Sequence, residues 1–134
     1  MLAKNRSIPD CSAMAEIPYP DIGDAIDWLC AAFGFTLRLR IADHRAQLNV
    51  GNCAVALTEA AQPTRCSMLI RVEDVDHHHR RAIERGAKVV REPADHPYGE
   101  RQYTAADPAG HVWTFSQTVR DVQPEEWGGT SHRL

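Results

Sequence analysis

Long hydrophobic runs are missing from this 134-residue chain. No stretch approaches the roughly 20 consecutive apolar residues that a helix needs to cross a bilayer. The opening residues 1–9 also lack the apolar core of a secretory signal. We therefore expect a cytoplasmic protein that has no membrane partner.

An excess of positive charge is missing as well. The chain carries 15 Lys and Arg against 18 Asp and Glu, a formal net charge of -3, and opposite charges are interspersed. Binding to a phosphate backbone requires a dense basic patch. We therefore expect no nucleic-acid partner.

Closely spaced cysteines and several catalytic signatures are also missing. The four cysteines are scattered without a CxxC pair: Cys11, Cys30, Cys53 and Cys66. Zinc sites and disulfide frameworks show tight spacing, so we expect reduced thiols, with Cys30 and Cys53 in the core because they lie in apolar patterns. The chain contains no GxSxG elbow, Gly-rich phosphate loop or dinucleotide fingerprint, which excludes the standard signatures of hydrolases, P-loop enzymes and Rossmann proteins.

The chain does contain a weak internal repeat. The segment AEIPYPDI precedes a helical pattern that ends at Gly34, and MLIRVEDV precedes a second helical pattern that ends at Gly86. Asp21 and Asp74 stand where each helix needs a cap. Three short β-like stretches separated by turn signals follow each helix. They are 36–42, 45–50 and 53–59 in the first copy, and 88–92, 100–106 and 112–118 in the second.

This order predicts an α+β fold with two βαβββ modules in one domain, residues 13–118. Module one takes residues 13–59, a linker takes 60–66, and module two takes 67–118. An apolar fraction of 43% supplies a core for one domain of this length. Residues 1–12 and 119–134 are polar or rich in Gly and Pro, and we expect them to be peripheral tails.

The most specific motif lies in residues 98–116, which read YGERQYTAADPAGHVWTFS. Its Asp107-Pro108-Ala109-Gly110 segment predicts a tight turn between two paired strands. The motif resembles the closing hairpin of the glyoxalase/bleomycin-resistance (vicinal oxygen chelate) superfamily, in which YG-x-R-x-x-x-x-x-DP-x-GH-x-W is common in one subgroup. Segment 21–35 looks like the first helix of the same families, and segment 71–76 looks like the start of their second module. The resemblance thus covers residues 13–118.

The resemblance implies a mixed sheet that curls around a ligand cleft, often in a homodimer. Some members are metal enzymes and others sequester drugs. Metal-dependent members take one ligand, usually His, Glu or Gln, from the first and the fourth strand of each module. Those places align with Met14, Ala56, Ser67 and Thr114, none of which is a usual ligand for a divalent ion. We therefore expect no metal and no cofactor. A register slip that recruited Glu16 or Glu59 would reverse the faces of the strand.

Strand alternation indicates which side chains face the predicted cleft. Arg71 is then an inward charge that needs either a ligand or a carboxylate such as Glu16. His111 follows a turn glycine and either bonds the turn backbone or contacts a ligand, while the facing of Tyr103 is ambiguous. The candidate ligand-binding residues are Glu16, Arg71, Tyr103, His111, Thr114 and Ser116. The consecutive histidines 77–79 are expected on a solvated helix face, because neighbouring side chains on a helix point about 100° apart.

The leading hypothesis is a metal-free, homodimeric binding protein for a small, partly aromatic or anionic organic molecule, with drug or metabolite sequestration as one use. The alternative is a lyase, isomerase or dioxygenase-type enzyme, either with displaced metal ligands or with Glu16 or His111 in proton transfer. A third hypothesis is an interaction module whose cleft holds no ligand. The residues alone identify no catalytic group and no substrate.

Overall fold

The computed structural model describes residues 2–62 and 64–133. Met1, Pro63 and Leu134, which belong to the predicted tails and linker, lie outside the described residues. The chain divides into two compact units. The first takes in the described residues up to Cys66 together with Pro108–Gly110, and the second takes in Ser67–Asp107 and the described residues from His111 onward.

The first unit contains one helix and a four-stranded mixed sheet. Its elements are β1 (Ala15–Tyr19), α1 (Ile22–Phe33), β2 (Thr36–Ile41), β3 (Arg45–Val50) and β4 (Cys53–Glu59). The strand order is β1-β4-β3-β2, in which β1 runs parallel to β4 and the other pairs are antiparallel. This is the predicted βαβββ order.

Helix α1 is capped at its start by Asp21 and at its end by Gly34. The Asp24 N–H donates to the Asp21 carboxylate at 2.9 Å, and Gly34 ends the helix at a φ of 76°, donating its N–H to the Cys30 carbonyl at 3.1 Å. That left-handed φ suits glycine, which has no Cβ. The apolar stripe of α1 is buried, as are Ile17 and Leu57, which lie opposite each other in the sheet.

The second unit has the same element order. Its elements are β5 (Ser67–Arg71), α2 (Val75–Glu84), β6 (Lys88–Asp95), β7 (Glu100–Ala106) and β8 (Val112–Thr118), followed by a short 3-10 helix (Pro124–Trp127). The sheet order is β5-β8-β7-β6, with β5 parallel to β8. Strand β6 runs three residues beyond its predicted end, through two shifts in register. The predicted α+β fold of two βαβββ modules is confirmed.

The core of the second unit lies mainly in its sheet. Trp113 and Phe115 are fully buried, and the His78 ring of α2 lies 3.9 Å from the Phe115 ring, which identifies the face of the sheet that α2 covers. The helix itself buries only Val75 and Ala82. The Val75 N–H donates to the Gln117 side chain at 2.9 Å, so the start of α2 is also tied to the end of β8.

All four cysteines are free in the structure. The prediction that Cys53 is a core residue is wrong, because the side chain is exposed where β4 begins after the Gly51-Asn52 turn. Cys30 is half-buried, and this burial, with the nearby charge of Asp27, raises the pKa of its thiol. Within the described part of the chain, no helix combines the length and apolar character that crossing a membrane requires.

Candidate functional site

The sheet of the second unit carries a row of polar side chains on the face opposite α2. Phe115 and Tyr103 pair across β7 and β8 and lie beside α2, so the alternate residues of both strands point the other way. Three further antiparallel pairs occupy that other face: Thr104 with Thr114, Gln102 with Ser116, and Glu100 with Thr118. We call the side chains of Arg71, Tyr98, Glu100, Gln102, Thr104, Thr114 and Ser116 the polar face.

Hydrogen bonds connect these side chains across the two strands. The Tyr98 hydroxyl donates to Gln102 Oε1 at 3.0 Å, and Gln102 Nε2 donates to Ser116 Oγ at 2.9 Å. The Ser116 hydroxyl donates in turn to Glu100 Oε1 at 2.7 Å. A chain of three bonds therefore runs from a phenol through an amide and a hydroxyl to a carboxylate. Each bond polarises the next, which favours a fixed arrangement.

Thr114 and Ser116 lie together on this face, as their predicted alternation requires. The Thr114 and Thr104 hydroxyls are 2.8 Å apart, and Thr114 is half-buried. Ser116 is only 1% exposed and is bonded to both Gln102 and Glu100. Ser116 therefore orients its two neighbours and does not present a free hydroxyl.

Arg71 stands at the end of β5, opposite Ser116 in the parallel register. Its side chain is exposed and donates to Thr118 Oγ1 at 3.0 Å. On the same strand, Leu69 pairs with Thr114 and is 61% exposed. On β5, the edge strand beside the polar face, the Arg71 guanidinium and the apolar Leu69 side chain are thus both exposed to solvent.

Tyr103 lies on the opposite side of the sheet from Thr114 and Ser116. It is fully buried, its hydroxyl is 2.5 Å from His78 Nδ1, and its ring stacks 5.3 Å from Phe115. Burial raises the pKa of the Tyr103 phenol, so the group is a neutral hydrogen-bonding partner of α2. Its inclusion among the candidates followed from the ambiguous facing of β7. The structure does not bring Tyr103 to the polar face.

His111 is fully buried where β8 begins. Its backbone N–H donates to Asp107 Oδ1 at 3.0 Å and its carbonyl accepts from the Asp107 N–H at 3.0 Å. The other carboxylate oxygen of Asp107 accepts from the Trp113 indole at 3.0 Å. Asp107 therefore joins the ends of both strands, and the His111 backbone belongs to that arrangement.

Glu16 belongs to a comparable face of the first unit. In the register it lies opposite Ala56, which lies opposite Gln47, so the three side chains share one side of the sheet. Glu16 is exposed, and its carboxylate is 3.6 Å from the Arg45 guanidinium. Gln47 is buried because residues 6–8 lie against it.

The donor set does not fit a divalent ion. Met14, Ala56, Ser67 and Thr114 offer no carboxylate or imidazole. Among residues 2–62 and 64–133, no group of three His, Cys, Asp or Glu side chains is arranged to hold a metal. The three consecutive histidines point apart: His77 is exposed, His78 contacts Tyr103, and His79 Nε2 lies 3.1 Å from the Glu92 carboxylate.

Sequence reasoning missed four members of the polar face: Tyr98, Glu100, Gln102 and Thr104. The signal that identifies three of them is the hairpin register. If Thr114 lies on the polar face, pairing of the two strands across the Asp107–Gly110 turn places Thr104 opposite Thr114. Alternation along β7 then places Gln102 and Glu100 on the same face as Thr104. Tyr98 precedes the strand, and only its bond to Gln102 reveals its position.

Comparison with known proteins agrees with this architecture. The family model described as Glyoxalase/Bleomycin resistance protein/Dioxygenase superfamily matches residues 12–115. The uncharacterized protein Mb0911c of Mycobacterium bovis is 32% identical over 117 residues, which is 87% of this chain and 74% of that protein. The uncharacterized protein Rv0887c of Mycobacterium tuberculosis is also 32% identical over 117 residues, and this alignment spans 66% of that protein.

Solved structures show the same fold. TioX from Micromonospora sp. ML1 superposes with a TM-score of 0.73 at 34% identity, over 81% of this chain and 99% of TioX. A bleomycin-binding protein complexed with bleomycin superposes with a TM-score of 0.66 at 17% identity, over 80% of this chain and 98% of that one. The latter likeness concerns the fold alone. With the family match over residues 12–115, these comparisons show that the chain belongs to the glyoxalase/bleomycin resistance protein/dioxygenase superfamily.

Proposed function

We propose that this protein binds a small, partly aromatic and anionic organic molecule at the polar face, without a metal ion. The observation that carries the proposal is a connected row of polar side chains on one side of a sheet, which ends in the Glu100 carboxylate and has Arg71 exposed at its edge. Ligand sites typically combine a few fixed polar groups with apolar surface. Leu69 and Val112 supply apolar surface on the same face.

Arg71 is suited to an anionic group of the ligand. Its one hydrogen bond among the described residues goes to a neutral hydroxyl, and no ion pair between residues in the ranges 2–62 and 64–133 includes it. A guanidinium can offer two parallel N–H groups to a carboxylate or phosphate. Thr114, Gln102 and Tyr98 then contact the ligand through polar atoms, and Ser116 holds the neighbouring side chains in position.

Drug or metabolite sequestration is the use that we propose for such binding. One structural neighbour is a bleomycin-binding protein solved with its drug, which supports sequestration as a role for this fold. We further propose that the protein is cytoplasmic and forms a homodimer, and the homodimer is supported by Leu37 and Ile41, which are each about half exposed on a short strand. Such surfaces are commonly covered by a second copy.

Calorimetric titration tests this function with two probes, 2-naphthoate and bleomycin. We expect 2-naphthoate, which has the proposed aromatic and anionic groups, to bind the purified protein with one site per chain, and binding of bleomycin would in addition support drug sequestration. Treatment with a chelator should leave both the affinity for 2-naphthoate and the thermal midpoint unchanged, because no metal-binding energy is lost. A parent protein that does not bind 2-naphthoate overturns the proposed ligand class. A near-stoichiometric transition metal in elemental analysis, whose removal abolishes binding, overturns the metal-free part.

An enzyme is the second candidate, and the Glu100 carboxylate is the observation that favours it. Glu100 accepts the Ser116 hydroxyl at 2.7 Å and lies on the same face as Arg71, where it can accept a proton from a bound molecule. In contrast, Glu16 is beside Arg45 and His111 is fully buried. Proton NMR of a probe incubated with protein in heavy water distinguishes the two functions. Loss of a carbon-bound proton that Glu100→Gln prevents indicates catalysis, and an unchanged spectrum indicates binding alone.

A further inference from the structure

The chain that follows β8 is tied to the turn before β7. The backbone N–H groups of Val119 and Arg120 donate to the Gly99 carbonyl at 2.9 and 3.4 Å, and the Arg120 guanidinium donates to the Pro97 carbonyl at 3.1 Å. Gly99 has a φ of 84°, and a Cβ there would lie 2.4 Å from the Arg120 carbonyl oxygen. The predicted C-terminal tail is therefore held against the unit at this point.

Residues 123–131 also fix their own conformation. At the start of the 3-10 helix, the Gln123 N–H donates to the Glu126 carboxylate at 3.0 Å, which is the carboxylate bond of a capping box, and the Glu126 N–H donates to the Gln123 carbonyl at 3.0 Å. Ser131 donates its N–H and its hydroxyl to the Glu125 carboxylate at 2.6 and 2.9 Å. The Gly129 N–H closes the turn on the Pro124 carbonyl at 2.8 Å.

This fixed segment presents Trp127 beside Tyr98. Trp127 remains 48% exposed, and its ring centre is 5.1 Å from that of Tyr98. The other neighbour of Tyr98 is His96, whose ring is stacked at 5.1 Å and is inclined by only 9°. The Tyr98 hydroxyl donates to Gln102, so the aromatic group is continuous with the polar face.

We propose that Trp127 and Tyr98 form a stacking surface for the planar aromatic part of the ligand, and that they determine the preference of the site for flat over saturated molecules. This inference rests on the function proposed above and names a specificity determinant for it. An exposed, conformationally fixed Trp loses little entropy when it stacks on a ligand, and Trp and Tyr are enriched among residues that dominate binding energy.

Trp127 lies outside the part of the chain that the superfamily model matches. The superfamily match covers residues 12–115 and ends before the segment that fixes Trp127. The capping box, the Glu125–Ser131 bonds and the contact with Gly99 are all local to residues 97–131. A specificity determinant can therefore vary here while the shared sheet is kept.

The test compares 2-naphthoate with its saturated analogue, decahydro-2-naphthoate, which has the same charge and a similar size. Parent protein should bind 2-naphthoate about 2- to 10-fold more tightly, the size of a typical aromatic pair contribution. Trp127→Ala should remove this preference and leave the affinity for the saturated analogue unchanged, while Trp127→Phe should keep most of it. Ile83→Ala, at an exposed apolar position on α2, is the matched control and should change neither affinity.

Three results separate the possible failures. If the parent protein does not bind 2-naphthoate, the proposed function fails, and the stacking surface fails with it. If the parent protein binds the two carboxylates and Trp127→Ala keeps the same preference, only the stacking surface is overturned. If Trp127→Ala instead changes the oligomeric state in light scattering and the ligand preference stays, the exposed ring belongs to a subunit interface, which also overturns the proposal.

Discussion

Arg38 and Gln47 form one clamp, with Arg38 NH1 donating to Gln47 Oε1 at 2.6 Å. The same guanidinium donates to the carbonyls of Arg6 and Ile8 at 2.9 and 3.2 Å, and Gln47 Nε2 donates to the Ser7 carbonyl at 3.1 Å. Three consecutive carbonyls are thus held by two side chains of β2 and β3. The N-terminal segment that the sequence predicts as a peripheral tail therefore covers part of the first sheet.

Replacing Arg38 by Ala should free the N-terminal segment. Three hydrogen bonds are lost at once, and Gln47 is left buried with one partner fewer. We expect faster amide exchange over residues 5–9 and a loss of stability of about 1–3 kcal/mol. Arg6→Ala is the matched control, because Arg6 contributes its carbonyl and not its side chain. Equal exchange rates in parent and Arg38→Ala proteins would contradict this clamp.

Asp107→Ala should be among the most destabilising single changes in the second unit. Its carboxylate accepts from the His111 N–H and the Trp113 indole, both of which are buried, so the change leaves two donors unsatisfied. We expect a loss of about 2–4 kcal/mol in urea unfolding. Asp43→Ala removes a carboxylate from a 2.7 Å exposed ion pair with Arg40 and should cost less than about 1 kcal/mol. Similar unfolding midpoints for the two variants would exclude the role assigned to Asp107.

Arg71→Ala should weaken the binding of 2-naphthoate without changing the stability of the fold. A charge-assisted hydrogen bond contributes about 1.5–3 kcal/mol, so the dissociation constant should rise by about 10- to 150-fold. Arg81→Ala removes another exposed arginine, on α2 away from the polar face, and should leave the affinity unchanged. Equal affinities for the parent and Arg71→Ala proteins in calorimetry would show that a different group binds the anion.

The conformation of residues 123–131 should depend on pH in the acid range. Hydrogen bonds from the Ser131 N–H and hydroxyl lower the pKa of Glu125 in the folded chain. A lowered pKa means that the ionised form stabilises this segment at neutral pH, and that the stabilisation is lost as the pH falls through that lowered pKa. The Ser131 amide and the Trp127 indole should then lose protection in NMR, where protection is the exchange rate compared with the intrinsic rate at the same pH. In Glu125→Gln this protection should be independent of pH in the acid range, and Glu73→Gln, at an exposed position outside the segment, should behave as the parent does.

The order of helices, turns and strands along the chain could be predicted because it depends on local signals. Asp21, Asp74 and Gly34 marked helix ends by residue type alone, and the structure places them there. Strand β6 was predicted too short because its register shifts twice, and a regular alternation pattern does not anticipate an irregular strand.

Side-chain placement at the site was only partly predictable. Alternation placed Thr114 and Ser116 on one face, but Tyr103 was grouped with them although an odd-numbered residue of β7 points to α2. Both tails were predicted as peripheral, and the structure ties each of them down through bonds to residues distant in sequence, Gln47 in one case and Gly99 in the other. Such contacts leave no periodic signal in the sequence.

The bonds from Val119 and Arg120 to Gly99 also define where this protein can be divided. The match to the superfamily model stops at residue 115, inside β8 (Val112–Thr118), whereas the hydrogen-bonded body of the second unit continues to Ser131. A fragment that ends at residue 115 lacks Ser116, which connects Gln102 with Glu100 on the polar face. It also leaves the Gly99 carbonyl without the Val119 and Arg120 N–H donors. When domains are exchanged between relatives, the boundary should therefore be chosen from the backbone contacts of residues 116–131. The end of the match to the superfamily model is not a suitable boundary.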